Sequence, residues 1–186
     1  KRRTQDLLLC ALFAALIAVG AFIRIPVPVV PFTLQVLFTT LAGLLLGPKR
    51  GALSVFCYIA IGLLGVPVFT EGGGPMYVLK PSFGYIIGFL VGAWVTGTIA
   101  HRVPAPSYKR LLAACFAGLG IIYLFGMAYF WLISHVYLGT GIGLWPLFLY
   151  CFLLVVPGDI VLCVLCAVLA RRLIPALGRR RGENFA

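Results

Sequence analysis

Basic residues and long apolar runs alternate along this chain, and this alternation restricts the folds that the chain can adopt. Thirteen of the fifteen Lys and Arg residues fall in four clusters that separate apolar stretches. Because loops rich in Lys and Arg stay on the cytoplasmic side of a membrane, this spacing is typical of a multi-pass membrane protein. The clusters are Lys1–Arg3, Lys49–Arg50, Arg102 with Lys109–Arg110, and Arg171–Arg172 with Arg179–Arg181.

The composition excludes a soluble domain. Hydrophobic residues make up 62% of the chain and charged residues only 10%, whereas soluble domains carry about 25% charged residues. The net charge of +11 does not indicate a nucleic-acid partner. A nucleic-acid binder gathers its cations on one solvated face, but here they flank apolar segments, which indicates a lipid bilayer as the surroundings.

Six apolar segments predict an all-α membrane protein: a six-transmembrane-helix bundle with both termini on the cytoplasmic side, formed by a single membrane domain over 1–186. A cation costs about 2.5–3.5 kcal/mol at the centre of a span, so Lys49 and Arg50 predict a cytoplasmic turn over Gly47–Gly51. The last span is expected to bend near Pro157–Gly158. The predicted spans are 4–23, 32–47, 52–69, 82–100, 111–135 and 144–173.

Asp159 is the residue that most needs an explanation. It follows Pro157–Gly158 inside the last predicted span, and an ionisable residue within a span is a functional-site hypothesis by default. A contact with a ligand or cation and a structural hydrogen bond between helices both remain open.

Polar residues next to two predicted outer loops are further candidates. Glu71 and Lys80 flank the glycines 72–74, which either let backbone N–H groups approach a ligand closely or form a flexible surface loop. Lys80 is expected to pair with Asp159 or with an anionic group of a ligand. Thr33 and Gln35 open the second span, where they either face a cavity or cap the helix.

Helix one carries a stripe of small residues. Alanines at positions 11, 14, 15 and 18 recur at the helical spacing, and small residues let another helix approach closely. The stripe serves either an internal neighbour or a partner subunit.

Catalytic and metal-binding patterns were not found in the sequence. There is no Ser–His–Asp set, zinc-binding HExxH, paired-carboxylate arrangement or nucleotide-binding loop, and His101 and His135 are predicted at opposite membrane faces. The six cysteines lie in apolar runs, as buried thiols do. We therefore predict that the chain is not an enzyme and has no catalytic residue, metal ligand or cofactor.

Five short motifs follow one another along the chain. They are Pro28-x-x-Pro31-Phe32-Thr33-Leu34-Gln35, Gly47-Pro48-Lys49-Arg50-Gly51, Gly62-Leu63-Leu64-Gly65-Val66-Pro67-Val68-Phe69, Pro81-x-Phe83-Gly84-Tyr85 and Pro157-Gly158-Asp159. In this order they resemble the biotin-specific S components, the BioY family, over about residues 6–172. These proteins are the substrate-binding membrane subunits of energy-coupling factor (ECF) transporters.

The resemblance implies high-affinity biotin binding and uptake, by the substrate-capture subunit of an ECF-type ABC transporter in the cytoplasmic membrane of a prokaryote. It implies a T component and two ATPase subunits as partners, with Ala11, Ala15 and Ala18 contacting the T component. The family pattern continues Pro-Gly-Asp-x-x-Lys, but Leu162 stands at the lysine position, so we expect Lys80 to supply the cation. The predicted substrate-binding residues are Asp159, Lys80, Tyr85, Gln35, Phe69, Gly73 and Gly74.

Two alternatives remain. An S component for a different vitamin would share the architecture but not the Pro-Phe-Thr-Leu-Gln and Pro-Gly-Asp motifs. A non-transport membrane structural subunit would leave Asp159 and the glycine-rich loop unexplained.

Overall fold

The structure, a computed structural model, describes residues 2–26 and 31–181, which fold mainly into helices. Lys1 and Pro28, which contributed to the sequence analysis, lie outside the described residues. A π-helical segment, 149–153, lies between the last two α-helices. The α-helices are α1 (Arg2–Phe22), α2 (Gln35–Leu46), α3 (Pro48–Leu63), α4 (Phe83–Ala100), α5 (Tyr108–Val136), α6 (Leu144–Phe148) and α7 (Val156–Arg181).

A short hairpin and a single-turn helix complete the fold. Strand β1 (Arg24–Ile25) pairs antiparallel with β2 (Phe32–Thr33), so that Arg24 lies opposite Thr33. A 3-10 helix, Pro75–Leu79, lies in the connector between α3 and α4.

Among the described residues, four helices are long and apolar enough to cross a membrane. The longest joins α6 to α7, and α2 and α3 do not reach this length. The four are Thr4–Phe22, Phe83–Ala100, Tyr108–Val136 and Leu144–Leu177.

The second and third helices differ from the spans predicted at 32–47 and 52–69. The 12 residues of α2 extend about 18 Å, against a hydrocarbon core of about 30 Å. Helix α3 begins four residues earlier than predicted and ends at Leu63, so residues 64–69 belong to the connector that follows.

Gly47 alone separates α2 from α3, so the turn predicted over Gly47–Gly51 is too long. Gly47 has a φ of +85°, which glycine adopts without a steric penalty. Pro48 occupies the start of α3, where its missing N–H removes no helical hydrogen bond. The Lys-Arg pair therefore lies in the first turn of α3.

The basic connectors gather at one end of the bundle, which we call the basic end. The Arg50 guanidinium lies 2.6 Å from the Asp6 carboxylate and joins the start of α3 to that of α1. The His101 ring, after α4, hydrogen-bonds a carbonyl oxygen in the last turn of α2. Arg171 of α7 shares a surface crevice with Pro104–Pro106 of the α4–α5 connector.

The connector between α3 and α4, residues 64–82, folds over the opposite end of α3. The amide of Gly74 donates a 2.7 Å hydrogen bond to the carbonyl of Gly62. The Phe69 side chain is fully buried, and its ring centroid lies 5.4 Å from that of Tyr58. Aromatic packing therefore holds this connector against the helices.

Glycines bring α4 and α5 into close contact. A Cβ atom at Gly88 would lie 2.9 Å from backbone atoms of Ile122, and one at Gly92 would lie 3.0 Å from the carbonyl oxygen of Gly118. Small residues at such positions allow helix backbones to approach without a polar partner.

The bend in the last span lies before Pro157–Gly158 rather than at these residues. Helix geometry is interrupted by the π-helical segment 149–153, and α7 begins at Val156. The proline falls in the first turn of α7, where it breaks no helical hydrogen bond. This start places Asp159 in the first turn as well, near the partial positive charge of a helix N-terminus.

Candidate functional site

A pocket lies between the hairpin, α2, α4, α5 and the start of α7, at the end of the bundle opposite the basic end. Its cavity of about 50 Å³ is narrow, although one water needs only about 10–15 Å³ of such space. We call it the outer pocket. Its lining consists of Pro31, Thr33, Gln35, Val36, Thr70, Tyr77, Ser82, Tyr85, Ile86, Phe89, Ile122, Tyr123, Val155 and Asp159.

Asp159 is the one charged residue in this lining, and its side chain is only 2% exposed. Its Oδ2 accepts a hydrogen bond from the hydroxyl of Tyr123 on α5. Its Oδ1 accepts no hydrogen bond from any described residue. A buried carboxylate oxygen without a donor costs free energy, so this atom is suited to accept an N–H or O–H group of a ligand.

Gln35 lies at the start of α2, and its orientation is set by neighbouring hydroxyls. Its amide Nε2 donates a 2.7 Å hydrogen bond to the Tyr58 hydroxyl. The Thr33 hydroxyl donates to Gln35 Oε1 and accepts from the Gln35 backbone N–H, both at 3.4 Å. Thr33 and Gln35 line the pocket, whereas the N-cap of α2 is Leu34 and receives no side-chain cap hydrogen bond.

Tyr85 forms part of the pocket wall on α4. Its hydroxyl donates a 3.0 Å hydrogen bond to the carbonyl of Cys151, in the π-helical segment before α7. Its ring lies edge-on to that of Tyr123, with centroids 6.2 Å apart. Tyr85 thus links α4 to the irregular segment that precedes Asp159.

Lys80 does not pair with Asp159, which corrects one of its two predicted partnerships. Its ammonium lies 2.9 Å from Glu71 Oε2 and 5.0 Å from the ring centroid of Tyr77. The sequence distance from Glu71 is only nine residues, and the 3-10 helix between them brings the two ends of the connector together. Lys80 is therefore a neighbour of the pocket, not part of its lining.

Phe69, Gly73 and Gly74 also lie outside the lining. The ring of Phe69 packs behind Tyr77, with centroids 4.5 Å apart, so it supports the pocket wall from the rear. A side chain at Gly73 would clash with the backbone of Val66, and the N–H of Gly74 already donates to the carbonyl of Gly62 at the end of α3. The structure thus gives both glycines a role in folding the connector.

Tyr123, whose hydroxyl donates to Asp159, was not predicted as a site residue. The signal was present, because a tyrosine in the middle of an apolar span needs a partner for its hydroxyl. Other lining residues were not predicted either, because residues of these types are common in spans and connectors and do not by themselves indicate a site. These are Val36, Thr70, Tyr77, Ser82, Ile86, Phe89, Ile122 and Val155.

The alanine stripe of α1 divides between two faces. Ala14 is buried in the core, whereas Ala11 and Ala15 are exposed and Ala18 is half-buried. The exposed pair lies beside Leu12, which is also exposed. Alanine packing thus serves an internal neighbour at one position and leaves a smooth apolar face at the others.

Comparison with known proteins relates this geometry to one family. The model of the BioY family matches residues 1–179. A probable biotin transporter BioY of Lysinibacillus sphaericus is 46% identical over 173 residues, which cover 93% of this chain and 88% of the relative. The biotin transporter BioY of Thermotoga maritima is 44% identical over 124 residues, covering 66% and 72%.

A solved structure has the same fold. The crystal structure of the S-component for biotin from an ECF-type ABC transporter superposes with a TM-score of 0.80 at 29% identity, covering 92% of each chain. Because the family model also matches nearly the whole sequence, this chain belongs to the BioY family.

Proposed function

We propose that this chain binds biotin in the outer pocket and takes part in biotin uptake as the substrate-capture subunit of an ECF-type ABC transporter. The observation that carries the proposal is the buried Asp159 carboxylate, whose Oδ1 has no described partner in a pocket of otherwise uncharged residues. Membership of the BioY family, whose relatives are named biotin transporters, supplies the identity of the ligand.

The chemistry of biotin suits this pocket. Its ureido group carries two N–H donors and one carbonyl acceptor, and the rest of the bicyclic ring and chain is largely apolar. Asp159 Oδ1 is available to accept from a ureido N–H, and a carboxylate acceptor makes the stronger, charge-assisted type of hydrogen bond. Gln35 offers amide groups, and the rings of Tyr85 and Phe89 offer apolar wall. The cavity is small, so side chains, the hairpin or the α3–α4 connector must move apart when the ring enters.

We propose six spans in one domain, with both termini in the cytoplasm of a prokaryotic cell and the outer pocket facing outward. The clustering of basic connectors at one end supports this orientation. Ten of the 12 residues of α2 are buried. Neighbouring helices rather than lipid therefore surround this short helix, which allows it to cross at less than full membrane thickness.

Labelling of introduced cysteines tests the orientation. Met76 is exposed in the connector at the pocket end, and Ala105 is exposed in the α4–α5 connector at the basic end. An impermeant maleimide should label Met76→Cys in intact cells and Ala105→Cys only after permeabilisation. The reverse pattern would contradict the proposed orientation.

The partners we propose are a transmembrane T component and two ATPase subunits. The exposed apolar face around Ala11 and Ala15 supports a helix–helix contact with the T component. Ala15→Trp should abolish co-purification with a T component while leaving biotin binding unchanged. Gly120→Trp is the matched control, because a side chain there meets nothing within 4 Å. Equal loss of the partner in both variants would contradict this interface.

Equilibrium binding of labelled biotin to the purified chain tests the function itself. Asp159→Asn should weaken binding by roughly 10-fold or more, since hydrogen bonds to charged groups contribute about 1.5–3 kcal/mol. Asp6→Asn makes the same chemical change at the basic end and should leave affinity unchanged. Absence of saturable biotin binding at micromolar concentration would overturn the proposal, and displacement of the label only by another vitamin would reassign the ligand.

A further inference from the structure

Two cations border the outer pocket, and their surroundings differ. Arg24 lies opposite Thr33 in the hairpin, and its Nη1 donates a 2.8 Å hydrogen bond to the carbonyl of Thr70. Both threonines line the pocket. Lys80 lies against the ring of Tyr77. Both cations are therefore at the pocket mouth, Arg24 on the hairpin and Lys80 on the α3–α4 connector.

The interior of the pocket is unsuited to an anionic group. Among the described residues, its lining contains one acid, Asp159, and no Lys, Arg or His. Residues 27–30, which precede the lining residue Pro31 in sequence, are Val-Pro-Val-Val and carry no charge. A second carboxylate beside buried Asp159 would be repelled by it and would lose its hydration without gaining a cation. A ligand that combines N–H donors with a carboxylate must therefore enter with the donors first and keep the carboxylate at the mouth.

Of the two cations at the mouth, only Lys80 has an acid partner among the described residues. Its ammonium is paired with Glu71 at 2.9 Å. The ion pairs found in residues 2–26 and 31–181 do not include Arg24, whose guanidinium is bonded to a neutral carbonyl. A guanidinium has five N–H donors in a planar fork, so several remain for a carboxylate, which it binds in a two-pronged geometry.

We propose that Arg24, rather than Lys80, receives the carboxylate of the ligand at the pocket mouth and makes the site selective for the acid over uncharged derivatives. This inference rests on the proposed function, because it takes biotin as the ligand. It assigns each end of biotin to one group: the ureido N–H groups to Asp159 and the carboxylate to Arg24. Because Arg24 already joins the hairpin to the connector through Thr70, a carboxylate bound there also lies where these two covering segments meet.

The test compares biotin with biotinamide, which keeps the ring and chain but has no charge, on the purified full chain at low salt. Arg24→Gln should weaken biotin binding by about three- to tenfold, the range for a solvent-exposed but charge-assisted contact. It should change biotinamide binding by less than about twofold. Lys80→Gln is the matched control and should change neither affinity by more than about twofold, because Glu71 already neutralises it. Raising the salt concentration should reduce the preference of the unmodified chain for biotin over biotinamide.

Each other outcome contradicts the inference in a distinguishable way. Equal loss of both ligands in Arg24→Gln would mean that Arg24 only ties the hairpin to the connector. A biotin-selective loss in Lys80→Gln would assign the carboxylate to Lys80. No change in either variant would place the carboxylate elsewhere. In all three cases the unmodified chain would still bind biotin, so the proposed function would not be contradicted. If the unmodified chain binds neither ligand, the proposed function and the Arg24 assignment are both wrong.

Discussion

Helix α5 packs on α4 and on α7 in opposite ways. Against α4, Ile122 lies against the backbone of Gly88, and Thr96 donates a 3.2 Å hydrogen bond to the carbonyl of Ala114. Against α7, the hydroxyl of Tyr123 reaches Asp159 across the edge of a cavity, and one carboxylate oxygen has no described partner. The first interface is closely packed and hydrogen-bonded, whereas the second borders a cavity around Asp159 and leaves one carboxylate oxygen without a described partner.

The difference separates stability from ligand capture. Close packing of helix backbones gives the α4–α5 pair the dispersion contacts that hold a membrane bundle together. A buried acceptor without a donor costs about 1–3 kcal/mol, which a ligand N–H group recovers on binding. We therefore expect substitutions at the glycine contacts between α4 and α5 to act on folding and those next to Asp159 to act on affinity.

The largest expected effect is a loss of stability at the closely packed contact between α4 and α5. Gly88→Leu inserts a side chain against the backbone of Ile122, and overpacking of this kind should lower the melting temperature in detergent by about 5–10 °C. Gly120→Leu, on the same helix as Ile122 but in open space, should leave it within about 2 °C. If both variants melt alike, the α4–α5 contact is not the stabilising one.

The next largest expected effect is on biotin affinity, at the contact between α5 and α7 next to Asp159. Tyr123→Phe removes the hydrogen bond to Asp159 Oδ2 and should weaken biotin binding by about 10-fold, because the carboxylate loses the donor that positions it. Tyr129→Phe is the matched control, since its hydroxyl donates to the carbonyl of Val78 outside the pocket lining. Titration with labelled biotin measures both. An affinity unchanged in Tyr123→Phe would mean that this hydrogen bond does not position the Asp159 carboxylate for the ligand.

The smallest expected effect is on biotin affinity when Tyr85, in the pocket wall, loses its hydroxyl. Tyr85→Phe removes a neutral hydrogen bond to the carbonyl of Cys151 and should reduce biotin affinity by about fivefold, as expected for a contribution near 1 kcal/mol. The same titration applies. A loss as large as that in Tyr123→Phe would show that the π-helical segment, and not the acid alone, shapes the site.

Polar residues in apolar surroundings were the part of the site that the sequence could predict. Asp159, Gln35 and Tyr85 line one pocket. Asp159 was predicted because an ionisable residue within a span needs an explanation, and Gln35 because it opens the second span next to an outer loop. Tyr85 was predicted only through the resemblance to the family. The rule used for Asp159 extends to Tyr123. Apolar wall residues such as Phe89 could not be predicted, because an aromatic residue in a span packs equally well against lipid or another helix.

Contacts within and between connectors could not be predicted from the sequence. Lys80 was expected near Asp159 because the two charges are opposite, but local folding of the connector pairs it with Glu71 instead. The predicted start of α3 was wrong for a similar reason. Gly47 makes a tighter turn than the charged pair alone predicts, so α3 starts at Pro48. These outcomes depend on backbone conformation and on neighbours distant in sequence.

A crystal structure with biotin bound tests the central claim most directly. We expect a ureido N–H group within hydrogen-bond distance of Asp159 Oδ1 and the biotin carboxylate beside the Arg24 guanidinium. Biotin bound in the reverse direction, with its carboxylate buried next to Tyr123 and Asp159, or bound outside the outer pocket, would contradict it.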